Sequence, residues 1–322
     1  MQKSVITRSA GVVTLVLGLV SAAGPASAAE CGWSVRYLPK PAGDSLVQVI
    51  GADAHGGYAG FGDVSGVVTW SGTAATVVGN PPGLSGAMVD DMNAAGTIVG
   101  EALDSAIRGY RAFSLSNGSF QLLPIPDGYL EAHAIAVNAA GDVLGKVTDR
   151  VSVKVVIWRA GVPAVLDIGS GFDPVDLDDD GSVLLNSSEG AHVWSNGAMR
   201  GLAAPAGFGP ARGQAIRGGK VVGYALDPSS PTPQEAYAHA FAWVDGQPAE
   251  LADGTVADGI NVNGLIAGTT GKGDTRPAVW RGVEADQLSL PLQGSGYVTA
   301  VGDNDTIAGH INRAPVVWQC NA

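Results

Sequence analysis

Helical periodicity is missing from this chain of 322 residues. No segment of useful length repeats apolar residues every 3.6 positions, which excludes an array of helical repeats. Cysteine is almost missing, with two residues in all, Cys31 and Cys320, too few for a thiolate metal cluster. Basic residues are outnumbered, 18 Lys and Arg against 30 Asp and Glu, for a net charge of −12. Phosphate backbones need a basic surface, so nucleic acid is excluded as a partner. Beyond the first residues no run approaches the ~18 apolar residues of a membrane helix, so no membrane span is expected. No serine sits in a nucleophile elbow and no glycine-rich loop runs into Lys-Ser/Thr. Enzyme is therefore the weaker functional class.

The first residues carry an address. Lys3 and Arg8 form a basic start, Gly11 to Val20 is apolar, and Ala26-Ser27-Ala28 is a small-residue cleavage site. Residues 1–28 thus read as a secretory signal, and residues 29–322 as one exported, extracellular domain. Taking the two positive charges of Lys3 and Arg8 from −12 leaves −14 on the mature chain.

What the chain has in abundance is a repeat. Aligned on a glycine, it falls at Gly60, Gly100, Gly145, Gly223, Gly268 and Gly309, with Leu185 in the fourth copy, at steps of 38 to 45 residues. Each copy reads as an apolar run, an Asn/Asp-x-x-Gly turn, a second strand closed by that glycine, and a third strand ending in an aromatic. The turn has a mechanism: the Asn or Asp side chain bonds its own backbone two residues on, and the fourth-position glycine takes φ > 0. The turns are Asp53/Gly56, Asn93/Gly96, Asn138/Gly141, Asp178/Gly181 and Asn261/Gly264. The fifth copy, Ile216-Arg217-Gly218-Gly219, is one residue shorter and the seventh carries Asp305 at the glycine position, so both turns are expected to differ. A period of this length made only of strands and turns is one four-stranded propeller blade. The expected fold is all-β, a seven-bladed β-propeller of antiparallel four-stranded blades.

Third strands end at Trp70, Leu115, Trp158, Trp194, Trp243, Trp280 and Trp318. A large ring at one repeated position suits the wedge between blades, each burying about 150–250 Å²; a ring of exposed stacking platforms for sugars is the other reading. Fourth strands then end in leucine: Leu123-Pro124, Leu166, Leu202, Leu251 and Leu288. The seventh copy stops four residues after Trp318, with no room for a fourth strand, while Trp33 to Pro39 carries the alternation and Leu-Pro ending of one. The N-terminal strand should complete the last blade. Cys31 and Cys320 flank that junction, where a disulfide would replace the missing hairpin turn; two unrelated thiols are the alternative. The segment Asp227 to Pro233 reads as an insertion between second and third strands.

The motifs Asn93-x-x-Gly96-x-Ile98-Val99-Gly100 and His239-Ala240-Phe241-Ala242-Trp243 resemble the extracellular repeats of secreted bacterial proteins named for the tripeptide His-Ala-Phe, the HAF repeats. Other copies show Arg111-Ala112-Phe113, Val155-Val156-Ile157 and Pro277-Ala278-Val279. The resemblance implies a secreted repeat protein and no general set of catalytic residues.

Two sets of carboxylates stand out. Asp176, Asp178 and Asp180, followed by Gly181, match the first half of a calcium loop, but the twelfth position is Ser187 rather than a bidentate Glu. A weak Ca²⁺ site and an ordinary acidic turn are the two readings; no other cofactor is expected. Asp90, Asp91, Asp176 and Asp258 precede the turns of blades two, four and six, where first strands line the channel. They could hold a cation, shift one another's pKa, or form a solvated rim. The five histidines occupy different repeat positions and share no layer. The leading function is a monomeric binding or scaffold module engaging a protein or surface carbohydrate through one loop face. The alternatives are a glycan lyase or hydrolase with carboxylates at the channel mouth, and a structural envelope protein.

Overall fold

The computed structural model describes residues 32–229, 237–271, 275–282 and 288–321. Its strands form seven four-stranded antiparallel sheets arranged as a β-propeller, each made of strands consecutive in the chain except one. Blade three shows the pattern: Glu131–Val137 lies innermost, followed outward by Val143–Thr148, Val153–Arg159 and Val162–Val165. The exception closes the ring. Gly32–Tyr37 pairs with Ala314–Asn321 outside Ile307–Ile311 and Gly296–Val301, Trp33 lying opposite Cys320. Cys31 lies outside the described residues, as does most of the insertion after Asp227; its base is closed by the Asp227 N–H on the Tyr237 carbonyl (2.8 Å).

The core is divided as the ring requires. Seven apolar clusters lie between neighbouring blades, one at each interface, as where Val99 and Ala112 of blade two meet Val143, Val156 and Trp158 of blade three. Five of the six repeated tryptophans are fully buried there, which settles their role as packing. Their indole N–H groups also hold the chain. Trp70, Trp158, Trp243, Trp280 and Trp318 donate to the carbonyls of Pro39, Pro124, Ala203, Ala252 and Pro291 at 2.8–2.9 Å, each the residue after the leucine that ends the preceding outer strand. In blade six that leucine is Leu290, two residues beyond the expected Leu288; its N–H reaches the Pro277 carbonyl (3.1 Å) and it is buried.

The repeated glycine answers a close approach. In every blade the inner strand carries a one-residue bulge, and in six of the seven the second-strand glycine faces its start, Leu185 taking that place opposite Pro174 in blade four. A methyl on Gly60, Gly100, Gly145, Gly223, Gly268 or Gly309 would overlap a carbonyl oxygen of that inner strand, from Gln48, Met88, His133, Arg212, Val256 or Tyr297. At these six positions a residue without Cβ lets the strands pair this tightly.

The turns do more than reverse the chain. Asn93 Oδ1 accepts the N–H groups of Ala95 and Thr97, as the sequence predicts, while its Nδ2 donates to the Asn138 carbonyl of the next blade (2.8 Å). Asn138 reaches the Asp178 carbonyl (3.3 Å) and Asn261 the Gly302 carbonyl (2.9 Å). These are among the few buried polar side chains. The seventh turn corrects the expectation that it differs: Gly302 and Asp305 make the same backbone bonds as Asn93 and Gly96, with Asp305 at φ 60°. Hydrogen bonds from Asn261 (2.8 Å), Asn263 and Arg281 hold its carboxylate there.

Candidate functional site

A bulge turns one side chain out of the ladder. The seven bulged residues are Ile50, Asp90, Ile135, Val175, Gln214, Asp258 and Thr299, and all seven line one cavity of about 170 Å³ in the central channel. Asp91, Asp176, Arg217 and Asp303 line it toward the turns. The four carboxylates singled out in the sequence therefore face one cavity, although they come from three blades.

They divide into two pairs with different work. Asp91 and Asp176 sit one residue past the bulge and join blades: Asp91 Oδ2 accepts the Val137 N–H (2.8 Å) and Asp176 Oδ2 the Ile216 N–H (2.7 Å), while their Oδ1 atoms take the N–H groups of Met92 and Leu177. Asp90 and Asp258, at the bulge itself, face the channel, and their carboxylates make no hydrogen bond among the described residues.

Enclosure shifts all four upward. Asp90 is open to channel water yet ringed by protein, and this enclosure, reinforced by the negative charges of Glu101 and Asp91, pushes its pKa to about 8, with Lys146 opposing. Burial alone pushes Asp258 to about 7. Asp176 rises to about 7 through burial and then the charge of Asp91. Asp91 also rises with burial, against the N–H groups of Val137 and Met92 and the charge of Arg217. Asp91 and Asp176 therefore feel each other across the ring, while no carboxylate acts on Asp258.

Arg217, in the shortened fifth turn that the sequence set apart from the other copies, brings the positive charge among these carboxylates. Burial opposes its charge, but Asp176, Asp179, Asp303 and Asp91 outweigh it and raise its pKa; its Nη1 reaches Asp179 at 3.0 Å. That turn puts an arginine where five other copies carry Asn or Asp and the seventh carries Gly302.

Asp176, Asp178 and Asp180 are not brought to one point. Asp176 joins blades four and five as described, Asp178 accepts Gly218 (2.9 Å) and Gly219 (2.7 Å) N–H groups from the fifth turn, and Asp180 accepts Ser182 N–H (2.8 Å). Among the described residues no group of three His, Cys, Asp or Glu side chains is placed to hold a metal ion.

The opposite end of the ring has another character. There the second strand turns into the third and each blade connects to the next. Tyr37 (54% exposed), Tyr297 (42%), Leu103, Leu130 and Val153 lie at this end, with Val151 (95%) at a hairpin tip. Four histidines also lie toward it beside an aromatic ring: Tyr110–His133, Phe172–His192, Phe208–His239 and Tyr297–His310, with centroids 4.9–5.4 Å apart.

The chain matches no protein-family model and no curated protein. Solved structures do resemble it. One of streptogramin B lyase superposes with a TM-score of 0.60 at 13% identity, covering 90% of this chain and 98% of that one. A puromycin-hydrolysing peptidase of Mycobacterium tuberculosis gives 0.55 at 14%, over 88% of this chain and 53% of that one. YCF48 of Cyanidioschyzon merolae gives 0.54 at 10%, over 88% and 98%. At such identities the likeness is one of fold: this chain is a seven-bladed β-propeller. No helix among the described residues is long and apolar enough to cross a membrane.

Proposed function

We propose that this propeller is a secreted, monomeric binding module of the HAF-repeat kind, exported by residues 1–28 and stapled by a Cys31–Cys320 disulfide, which engages a protein or surface carbohydrate through its connection face. The observation that carries this reading is the sorting of exposed side chains. Exposed tyrosines and aliphatics gather at the connection end, whereas the channel carboxylates Asp91 and Asp176 are spent on joining blades. Apolar surface rimmed by polar groups on a rigid ring is what a binding face offers. A glycan array and a pull-down from culture supernatant, each run on wild type, Leu130→Asp, Val151→Asp and the turn-face control Val262→Asp, test it. Binding lost in the first two variants alone supports the connection face; binding that follows Val262 instead overturns it.

A second reading rests on Asp90 and Asp258. Two carboxyls without hydrogen bonds, held near neutral pKa in one cavity, are suited to acid/base work on a glycan. Polysaccharide cleavage abolished in both Asp90→Asn and Asp258→Asn would establish it, and equal activity in either would end it.

A further inference from the structure

The residue after the repeated glycine points across the blade interface at the connection end, and in three blades it bonds to the next blade. Glu101 pairs with His133 Nδ1, Asn186 bonds both the N–H and the carbonyl of Gly213, and His310 Nε2 accepts the Val49 N–H (3.3 Å). In blade three this residue is Lys146; among the described residues it makes neither hydrogen bond nor ion pair, and its charge acts on Asp90 of the neighbouring blade without direct contact. The junction it would close is open. A pocket of about 430 Å³ lies there, between blades three and four on the connection face, lined by Lys146, Thr148, His133, Val153, Phe172 and Asp173. Register explains the grouping: His133 lies opposite Lys146, and Val153 opposite Thr148. Phe172 ends the connection into blade four, just after Gly169 and Gly171, both at positive φ.

We infer that this pocket binds an acidic sugar, a uronate unit of a glycan, and the inference rests on the connection face being the binding face. Lys146, whose ammonium touches no carboxylate of the described residues and feels Asp90 only at a distance, offers its charge to one carboxylate of the ligand. Phe172 offers an apolar wall against which a pyranose ring packs, its own ring fixed edge-on against His192 (5.3 Å). Thr148, His133 and Asp173 surround it with donors and acceptors for hydroxyls. Asp173 also argues for a monoanion with hydroxyl donors over a phosphate, which its carboxylate would repel, as would the acidic chain as a whole.

Calorimetric titration of the full mature chain with trigalacturonate, its methyl ester and a hyaluronan tetrasaccharide tests the assignment. At least one acidic oligosaccharide should bind, and where trigalacturonate does, its ester should bind at least tenfold more weakly. Lys146→Met, which keeps the aliphatic stem, should lower acid affinity tenfold or more, and Phe172→Ala should weaken acid and ester alike. No binding of either acidic probe to wild type, or unchanged affinity in Lys146→Met, overturns it. The uronate site alone fails if Lys146→Met binds a partner that Val151→Asp has lost; the binding face itself fails if that partner ignores both substitutions.

Discussion

The carboxylate of Asp178 receives the backbone N–H of Gly219, one blade away, at 2.7 Å, and that of Gly218 at 2.9 Å. Two departures from the repeat are thereby one feature. The shortened fifth turn turns two N–H groups back toward blade four, and an acceptor is needed where blades two, three and six use the Nδ2 donor of asparagine.

Asp178→Asn puts an NH₂ donor against those N–H groups. The variant should unfold at lower denaturant with an unchanged slope, by about 1–3 kcal/mol, because a part-buried N–H loses its charged acceptor and faces a donor instead. The same geometry leaves few carboxylate oxygens for an ion, so calcium titrated to millimolar should not raise the melting temperature; a clear rise would restore the calcium reading of Asp176, Asp178 and Asp180.

Trp158→Phe keeps an aromatic but removes the donor to Pro124, orphaning a carbonyl and leaving space in the wedge. A loss of about 2–4 kcal/mol is expected from the unmade hydrogen bond and the cavity together. Trp194, only partly buried and without such a bond, should lose far less as Trp194→Phe; denaturant melts of the two variants give the comparison.

Gly223→Ala adds a methyl that meets only backbone, the carbonyl of Arg212 and the Cα of Gly213. Backbone cannot step aside as a side chain does, so the inner strand of blade five must shift. A loss of roughly 1–3 kcal/mol should appear in chemical melts.

Stability should depend on pH in two opposed ways. Asp90, Asp176 and Asp258 titrate near 7 to 8 in the fold and near 4 when unfolded, so between those values the folded state binds more protons and stability falls as pH rises. His310 is drawn down to about 4 by burial, so the unfolded state binds more protons below about 6.5 and stability falls as pH drops through that window. Thermal melts from pH 4 to 9 should show Asp258→Asn flattening the alkaline decline alone, and a decline of the same slope in that variant would refute the assignment.

Joining the termini should be held by the proposed disulfide. Substituting Cys31 and Cys320 together by Ser should lower stability by at most about 5 kcal/mol, the chain-entropy limit for a loop of nearly the whole protein. Melts of wild type with and without reductant, set beside the double variant, measure it.

Architecture was legible in the sequence because a repeat writes each packing rule several times. Asn93, Asn138 and Asn261 announced their turns, the tryptophans their wedge, and Trp33 to Pro39 the missing outer strand. Aspartates were legible as channel residues, yet not by role. Asp90 and Asp91 are neighbours in sequence and line the same cavity, and only the bulge decides that one carboxylate is left without a partner there while the other accepts the Val137 N–H of the next blade.

Local chemistry thus determined blade, turn and closure, since each depends on residues adjacent in the chain or on the ring period. Tertiary structure alone decided the site. A pocket such as that around Lys146 and Phe172 is bounded by two blades, and whether a side chain there is spent on its neighbour or left free for a ligand depends on what the next blade offers it.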